Sequence, residues 1–166
     1  MYRADFATVP GVHPNCAAVD AVLEQAGAPG RVRVLTEAAP TAVAAAEQLG
    51  VEVGAIANSL IFATAEDTPL LVMTSGAHRV DTGKVAALVG TAALRRADAD
   101  FVYKHTGQRI GGVAPVAHPE KIRTVVDLAL ADYPEIWAAG GIPHAVFPTT
   151  FDELVALTDG EPAEVA

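Results

Sequence analysis

A glycine-rich segment near the middle of the chain is the first place to look for chemistry. It runs from Gly111 and Gly112 through Val113 to Pro115. Adjacent glycines let a ligand approach bare backbone N–H and C=O groups, and a proline stiffens the chain that leaves the segment. The segment follows a predicted helix instead of opening one, and it lacks the Lys-Ser/Thr pair of a P-loop. It is therefore either a ligand site built from backbone or an ordinary tight turn.

Common catalytic groups are scarce in the rest of the chain. Cys16 is the single cysteine, which excludes a disulfide scaffold and a cysteine zinc cluster, and it lies in a predicted helix with nothing nearby to activate it. Neither serine, Ser59 or Ser75, belongs to a Gly-x-Ser-x-Gly motif. The histidines lack the i, i+4 spacing of a helical metal site, so we predict no metal and no cofactor. His118 and His144 stay candidates because glycine segments precede them.

Charge is unevenly distributed along the chain. The formal net charge of −9, from 11 basic and 20 acidic residues, argues against a nucleic-acid partner. Residues 79–123, however, hold eight basic and four acidic side chains, a local net charge of +4. These basic residues either face solvent singly on different sides or form one cationic face.

The pattern of apolar residues, caps and glycines predicts short helices and strands around these residues. The turn at 66–68 predicts an antiparallel hairpin. Thr150 and Glu153 form a capping box at the start of the last helix. The predicted helices are 13–27, 41–49, 82–88, 99–106 and 151–157, and the predicted strands are 31–35, 56–63, 69–74, 122–126, 136–139 and 145–147.

This layout predicts a single α+β domain over 1–166, with a mixed, curved sheet flanked by helices. The tail 159–166 is either loose or a final edge strand. No apolar run reaches the roughly 20 residues of a membrane helix, and the N-terminus lacks the apolar core of a signal peptide. We therefore expect a cytoplasmic protein with no membrane partner.

Five blocks in this order resemble a known family. The match runs from about residue 13 to 158, and its centre is the Thr-Gly…Gly-Gly-x-x-Pro block. The blocks are Ile-Ala-Asn-Ser-Leu-Ile-Phe at 56–62, Ser-Gly-Ala-His-Arg-Val-Asp at 75–81 with Lys84, the central block at 106–115 with His118, Trp-Ala-Ala-Gly-Gly-Ile-Pro-His at 137–144, and 150–154. Together they resemble the YbaK/EbsC-type aminoacyl-tRNA deacylases, which include the editing domain of bacterial prolyl-tRNA synthetases.

The resemblance implies hydrolysis of the ester that joins a wrong amino acid to the 3′ end of a tRNA, in a barrel-like curved sheet. Asn58 stands where the family has a lysine that holds the terminal nucleotide. An amide offers only neutral hydrogen bonds, roughly half as strong as charged ones. A trans-acting deacylase is thus the leading hypothesis, and a non-catalytic module that binds a tRNA end or an aminoacyl metabolite is the alternative.

The resemblance also implies roles for individual residues. An aminoacyl ester is labile, so positioning and backbone donors at the glycines would suffice, with a water or the terminal 2′-hydroxyl attacking. A cationic face beside the loop would seat the RNA. We expect the partner to be an aminoacylated tRNA 3′ end, with a synthetase as a further candidate partner and no DNA; the amino acid is left open. The expected catalytic residues are Asn58, Gly111 and Gly112, the substrate-binding residues are Ser59, Val113, Pro115, His118 and His144, and the tRNA-binding residues are Arg79, Lys84, Lys104 and Arg109.

Overall fold

The computed structural model describes residues 13–166, which form five α-helices and an eight-stranded sheet. The N-terminal stretch used above to judge targeting lies outside the described residues. The helices are α1 (Pro14–Gln25), α2 (Ala42–Leu49), α3 (Thr82–Val89), α4 (Ala99–Thr106) and α5 (Phe151–Thr158). The strands are β1 (Arg33–Val34), β2 (Ile56–Thr64), β3 (Pro69–Ser75), β4 (Leu94–Arg96), β5 (Arg123–Asp127), β6 (Ile136–Ala139), β7 (Ala145–Thr149) and β8 (Glu161–Ala163).

Four of the five helices in residues 13–166 begin after a Thr or Asp cap, including the one predicted to begin at Thr150. The side chains of Thr41, Asp81, Asp98 and Thr150 each accept an N–H from the first turn of α2, α3, α4 and α5. Glycines in the left-handed conformation end the first three of these helices. Asn15 is a possible cap for α1 in the sequence, but His13 has that role because its side chain accepts the N–H of Asn15. The Asn15 amide donates to the Gly141 carbonyl, 3.1 Å away.

The sheet is mixed, as predicted, and it does not close into a barrel. Its strand order is β1-β7-β6-β2-β3-β5-β8, with β4 also pairing with β2. The pairs β2–β6, β3–β5 and β5–β8 are parallel, and the others are antiparallel, including the predicted β2–β3 hairpin. The tail is an edge strand and not a loose end, because β8 pairs with β5 over Glu161–Ala163.

Strand β2 changes partner along one of its two edges. On the β3 side it is paired from Ala57 to Ala63. On the other side it pairs with β6 at Ile56 and Ala57, and then with β4 from Phe62 onward. Residues 58–60 therefore have no strand partner on this edge within the described chain, whereas the Ile61 carbonyl accepts the N–H of Ala97. A row of unpaired backbone groups is a ready binding surface for a polar ligand.

Buried residues cover both faces of the sheet. Residues of α1, α4 and α5 pack on one face, together with the segment 113–116, so the glycine loop continues into the core. On the other face α3 covers β3 and β5, and α2 covers β6 through Ala45 and Ala46. Each large apolar side chain buried in this way stabilises the fold by roughly 1.5–3 kcal/mol. The glycine loop is therefore continuous with a well-packed core.

The carboxylate of Asp127 fastens the ends of β3 and β5 to each other. Its side chain is buried, and its Oδ2 accepts the N–H of Ser75 at 3.0 Å and lies 2.9 Å from Nδ1 of His78. Its other oxygen accepts the N–H of Ala129. These partners satisfy the buried charge, as burial requires.

Candidate functional site

A cavity of about 220 Å³ lies where β2 has lost β6 and has not yet met β4. Residues 58–60 of β2 form one wall, and β6 and β7 extend it. The start of α2 and the chain before it, at 39–42, face that wall. Gly111 and Val113 complete the rim. The break in strand pairing and the glycine loop therefore meet at one place.

Among residues 13–166, no ionisable side chain lines this cavity. The polar side chains in its wall belong to Thr41, Asn58, Ser59 and Trp137, and most of the other lining residues are alanines or larger apolar residues. A general acid or base must lie within hydrogen-bond reach of the proton that it moves. A reaction in this cavity would depend on positioning, backbone donors and the substrate's own groups.

The two glycines of the loop have different roles. Gly111 lines the cavity with a φ of +97°, a conformation that favours glycine, and its N–H has no acceptor within the described chain. Gly112 is buried, and its N–H donates to the carbonyl of Arg109 at 3.1 Å. A Cβ on Gly112 would lie against the backbone of Ile142 and 2.6 Å from the nitrogen of Pro143. Gly112 is therefore a packing position, and only Gly111 fits the expected donor.

The side chains of Gln108 and His118 form hydrogen bonds that anchor the glycine loop. Oε1 of Gln108 accepts the N–H of Ala114 at 2.6 Å, and the Gln108 side chain is almost fully buried. Nε2 of His118 lies 2.7 Å from the carbonyl of the same Ala114, so it must be the donor. Thr106 anchors Gln108 in turn by accepting its backbone N–H. No motif or residue spacing predicted a role for Gln108.

Burial also fixes the charge state of His118. Desolvation lowers the pKa of His118 from its ordinary value of 6.5, and the hydrogen bond to Ala114 offsets only part of that shift. The ring is neutral at pH 7 and donates its Nε2 proton to the loop. His118 therefore positions the loop and does not line the cavity beside Asn58.

The polar residues of β2 have side chains with few competing partners. The Asn58 amide forms no hydrogen bond with the rest of the described chain and is half-buried at the cavity wall. The Ser59 hydroxyl lies 3.3 Å from the sulfur of Met73, a weak acceptor. Both groups are available to a ligand.

Trp137 carries a second available donor. Its indole N–H is buried and is the single buried side-chain polar atom in the described residues without a hydrogen-bond partner. The ring forms part of the cavity wall, and the guanidinium of Arg33 lies over it at 5.1 Å. A buried unpaired donor destabilises a protein by about 1–3 kcal/mol, so a ligand acceptor that reached it would remove that penalty.

Four of the eight basic residues in 79–123 have acidic neighbours, which lowers the net charge that they could add to a cationic face. Acidic residues from other parts of the sequence pair with four of them, because the turn of the hairpin, the end of α5 and the strand β8 fold beside them. The pairs are Lys84–Glu164, Arg95–Asp67, Lys121–Asp159 and Arg123–Glu161. Of the expected tRNA-binding residues, Lys84 thus has an acidic neighbour and also donates to the Ala166 carbonyl, whereas Arg109 stacks on Tyr103.

Other chemistries find no support in the described residues. Cys16 is buried in α1, and burial raises the pKa of its thiol. Residues 13–166 contain no group of three or more His, Cys, Asp or Glu side chains that could hold a metal ion. None of the helices in this range is long and apolar enough to span a membrane.

Comparison with known proteins agrees with this geometry. The sequence signature of the aminoacyl-tRNA editing domain matches residues 36–157. The chain belongs to that family. A crystal structure proposed to be a trans-editing enzyme for prolyl tRNA synthetase is 40% identical with a TM-score of 0.86, covering 93% of this chain and 98% of the other.

Two curated relatives extend the comparison. The uncharacterized protein YwhH of Bacillus subtilis (strain 168) is 30% identical over 110 residues, 66% of this chain and 69% of that protein. The proline–tRNA ligase of Ligilactobacillus salivarius (strain UCC118) is 31% identical over 96 residues, 58% of this chain. This match spans only 17% of the ligase. The chain is thus similar both to most of one smaller protein and to a small part of a much larger enzyme.

In this member of the editing family, the cavity brings together four of the residues expected to form the site: Asn58, Ser59, Gly111 and Val113. Pro115 and His118 lie behind the loop and line a separate depression. His144 is exposed on the turn after Pro143 and does not line the cavity. Arg79 and Lys104 are exposed and also lie outside it.

Proposed function

We propose that the chain is a trans-acting deacylase that hydrolyses the ester of mischarged tRNA. The observation that carries the proposal is the cavity free of ionisable side chains at the break in β2, with the Gly111 N–H at its rim. An aminoacyl ester needs little activation, so a preorganised backbone donor and exact placement can account for its hydrolysis.

The reaction follows from these groups. The oxygen of a water molecule attacks the ester carbonyl carbon, and the Gly111 N–H stabilises the oxyanion that forms. The bond from this carbon to the ribose oxygen then breaks, and that oxygen takes up the proton that the water gives up. The products are the free amino acid and the uncharged tRNA. Because no side chain in the cavity can act as base, the proton moves through solvent or the neighbouring ribose hydroxyl. A single such donor accounts for about 10²–10³ in rate in known cases.

The cavity lining favours amino acids whose side chains are small and uncharged. Alanines from α2, β2, β6 and β7 form much of the wall, and no side chain in it could pair with a charged substrate. The relation to the proline–tRNA ligase and to the proposed trans-editing enzyme makes tRNA of the proline system the first substrate to test.

The test uses purified protein and proline tRNA charged with alanine, cysteine or proline. We expect the alanine or cysteine ester to disappear faster than in buffer, and the correct prolyl ester to persist. If no ester is lost above background with any pairing, the chain is not a deacylase.

Asn58 separates the enzyme from the alternative, a non-catalytic binding module. If hydrolysis disappeared with the family lysine, the natural protein has almost no activity and Asn58→Lys restores it. If Asn58 serves the reaction, the natural protein is active, and Asn58→Ala lowers kcat/KM while Asn58→Lys does not create the activity.

A further inference from the structure

A second cavity lies beside the first, and nothing above assigns it a role. It holds about 530 Å³ and shares Ile110 and Pro143 with the cavity at the break in β2. Its walls come from α4 and the chain after it, from the start of α1, and from the turn at 141–143. No carboxylate from the described part of the chain lines it. The two cavities are therefore neighbours, with Ile110 and Pro143 between them.

One wall of this cavity is a stacked pair of flat groups. The guanidinium of Arg109 lies 4.5 Å from the centroid of the Tyr103 ring, and 48% of Tyr103 is exposed. Arg109 has no carboxylate partner among the residues that the structure describes. Exposed aromatic rings with a neighbouring arginine are the surfaces on which nucleic-acid bases stack.

The opposite wall is polar. The Nδ1 atom of His13 accepts the N–H of Asn15 at 3.0 Å, so the neutral ring carries its proton on Nε2. The Asn15 amide is fixed by its bond to Gly141 and keeps its own oxygen as an acceptor. These groups supply a donor and an acceptor opposite the flat wall.

The largest neighbouring alternative lacks this chemistry. The cavity at the hairpin end of β2 holds about 500 Å³, but Glu66, Asp67 and Glu120 line it together with Lys121 and Arg123. The carboxylates offset the basic groups, so this cavity offers a polyanion no net attraction. Of these two large cavities, the one beside the candidate active site is the one that suits nucleic acid.

We propose that this second cavity, the Tyr103 groove (Tyr103, Arg109, Ile110, His13, Asn15 and Pro143), binds the unpaired nucleotide that precedes the terminal nucleoside of the aminoacylated strand. The base stacks on Tyr103 beside Arg109, and the terminal nucleoside carries its ester past Ile110 into the first cavity. This inference rests on the proposed function and adds a subsite to it.

The test measures binding without hydrolysis, so that it does not depend on the deacylase reaction. The probes are an uncharged trinucleotide Cyt-Cyt-Ade with a fluorescent label at its 5′ end and a labelled adenosine, each titrated by anisotropy. We expect Tyr103→Ala and Arg109→Ala to raise the Kd for the trinucleotide about tenfold, since stacking supplies much of such binding. Tyr103→Phe keeps the ring and changes this Kd less than twofold.

Leu88→Ala is the matched control, because Leu88 is a similarly exposed apolar residue on α3, outside the groove. We expect it to leave both Kd values unchanged. The inference is overturned if Tyr103→Ala binds the trinucleotide as the natural protein does, or if it weakens adenosine and trinucleotide equally. If the protein binds the trinucleotide through Tyr103 but hydrolyses no ester, the proposal for the groove stands and the proposed deacylase function is refuted.

Discussion

The two ends of β2 each border a cavity, and the two cavities differ in almost every property except their place on the strand. At the Asn58 end the cavity is small, about 220 Å³, and free of ionisable side chains. At the hairpin end it is larger, about 500 Å³, and basic and acidic side chains line it together. Ion pairs such as Arg95–Asp67, at 2.7 Å, neutralise these charges.

The backbone explains why only one end suits chemistry. At the hairpin end β2 is paired on both edges, and Thr64 and Thr68 hydrogen-bond across the turn. At the other end residues 58–60 lack a strand partner on one edge, and Gly111, whose N–H has no acceptor within the described chain, lines the same cavity. Volume and charge count therefore locate a site less well than unpaired donors and acceptors do.

The largest effect expected at the Asn58 end comes from Gly112→Ala. The new methyl group would push the loop away from Ile142 and Pro143 and displace Gly111 from the cavity rim. Because a displacement of about 1 Å can lower a rate about 100-fold, we expect kcat/KM for a mischarged tRNA to fall by about that factor.

The control for this substitution is Gly83→Ala. Gly83 lies in α3, where a Cβ would meet only Asp81 at an ordinary 3.5 Å. Alanine is favoured over glycine inside a helix, so this variant should be more stable by up to about 1 kcal/mol with unchanged turnover. A folded Gly112→Ala protein with full activity would show that the loop does not position the substrate.

The next effect concerns the bond that holds the loop from behind. Gln108→Met keeps the size of the side chain but leaves the buried N–H of Ala114 without an acceptor. We expect the free energy of unfolding to fall by about 1–3 kcal/mol in urea titrations. At the hairpin end, Thr91→Val also removes an acceptor, for the N–H of Ala65. Water replaces it there, so the loss should be smaller; equal losses would contradict the difference between the two ends.

A pH titration sharpens the comparison further. The folded protein keeps His118 neutral, whereas the unfolded chain takes up a proton as the pH falls through about 6.5. The contribution of His118 to stability is therefore complete above pH 6.5 and is lost as the pH falls toward its lowered folded pKa. Urea unfolding of the natural protein and of His118→Gln at pH 5.5 and 7.5 measures it. The natural protein should lose more stability at the lower pH, and identical losses would contradict the assignment.

The smallest effect is expected from Arg95→Ala at the hairpin end. Both Arg95 and Asp67 are mostly exposed, and such pairs stabilise proteins by less than about 1 kcal/mol. We expect a change in unfolding free energy within that range and no change in kcat/KM. A clear loss of turnover would place the hairpin end within the functional surface and remove the contrast drawn here.

Local signals in the sequence predicted most of the elements. Thr41, Asp98 and Thr150 are good caps, and the helices begin there. The three-residue strands β4 and β8 were missed or left open, because so short a strand shows no periodicity and forms only where a neighbour pairs with it. Three of the five blocks that carry the family resemblance contribute residues to the cavity, namely 56–62, 106–115 and 137–144, whereas the lining segment at 39–45 belongs to none of them.

The remaining site features depend on contacts that form only in the folded chain. No spacing reveals that the Gly112 N–H bonds to Arg109, or that Gln108 reaches Ala114. A count of charges along 79–123 also omits Glu161 and Asp159, which arrive from the C-terminal end of the chain to pair with Arg123 and Lys121. Local charge in a sequence predicts a charged surface only when no partner folds back onto it.

The switch of partners along β2 has one more consequence. Strand β3 holds β2 in register along one edge. The missing strand partner on the other edge therefore interrupts the hydrogen-bond ladder and leaves the apolar core intact. We expect an exchange of Asn58 to alter what the cavity recognises without a rearrangement of the sheet, whereas Leu60 also packs against the core and Ser59 contacts the buried Met73. One edge of β2 thus borders the cavity, and the opposite edge holds the strand in the sheet.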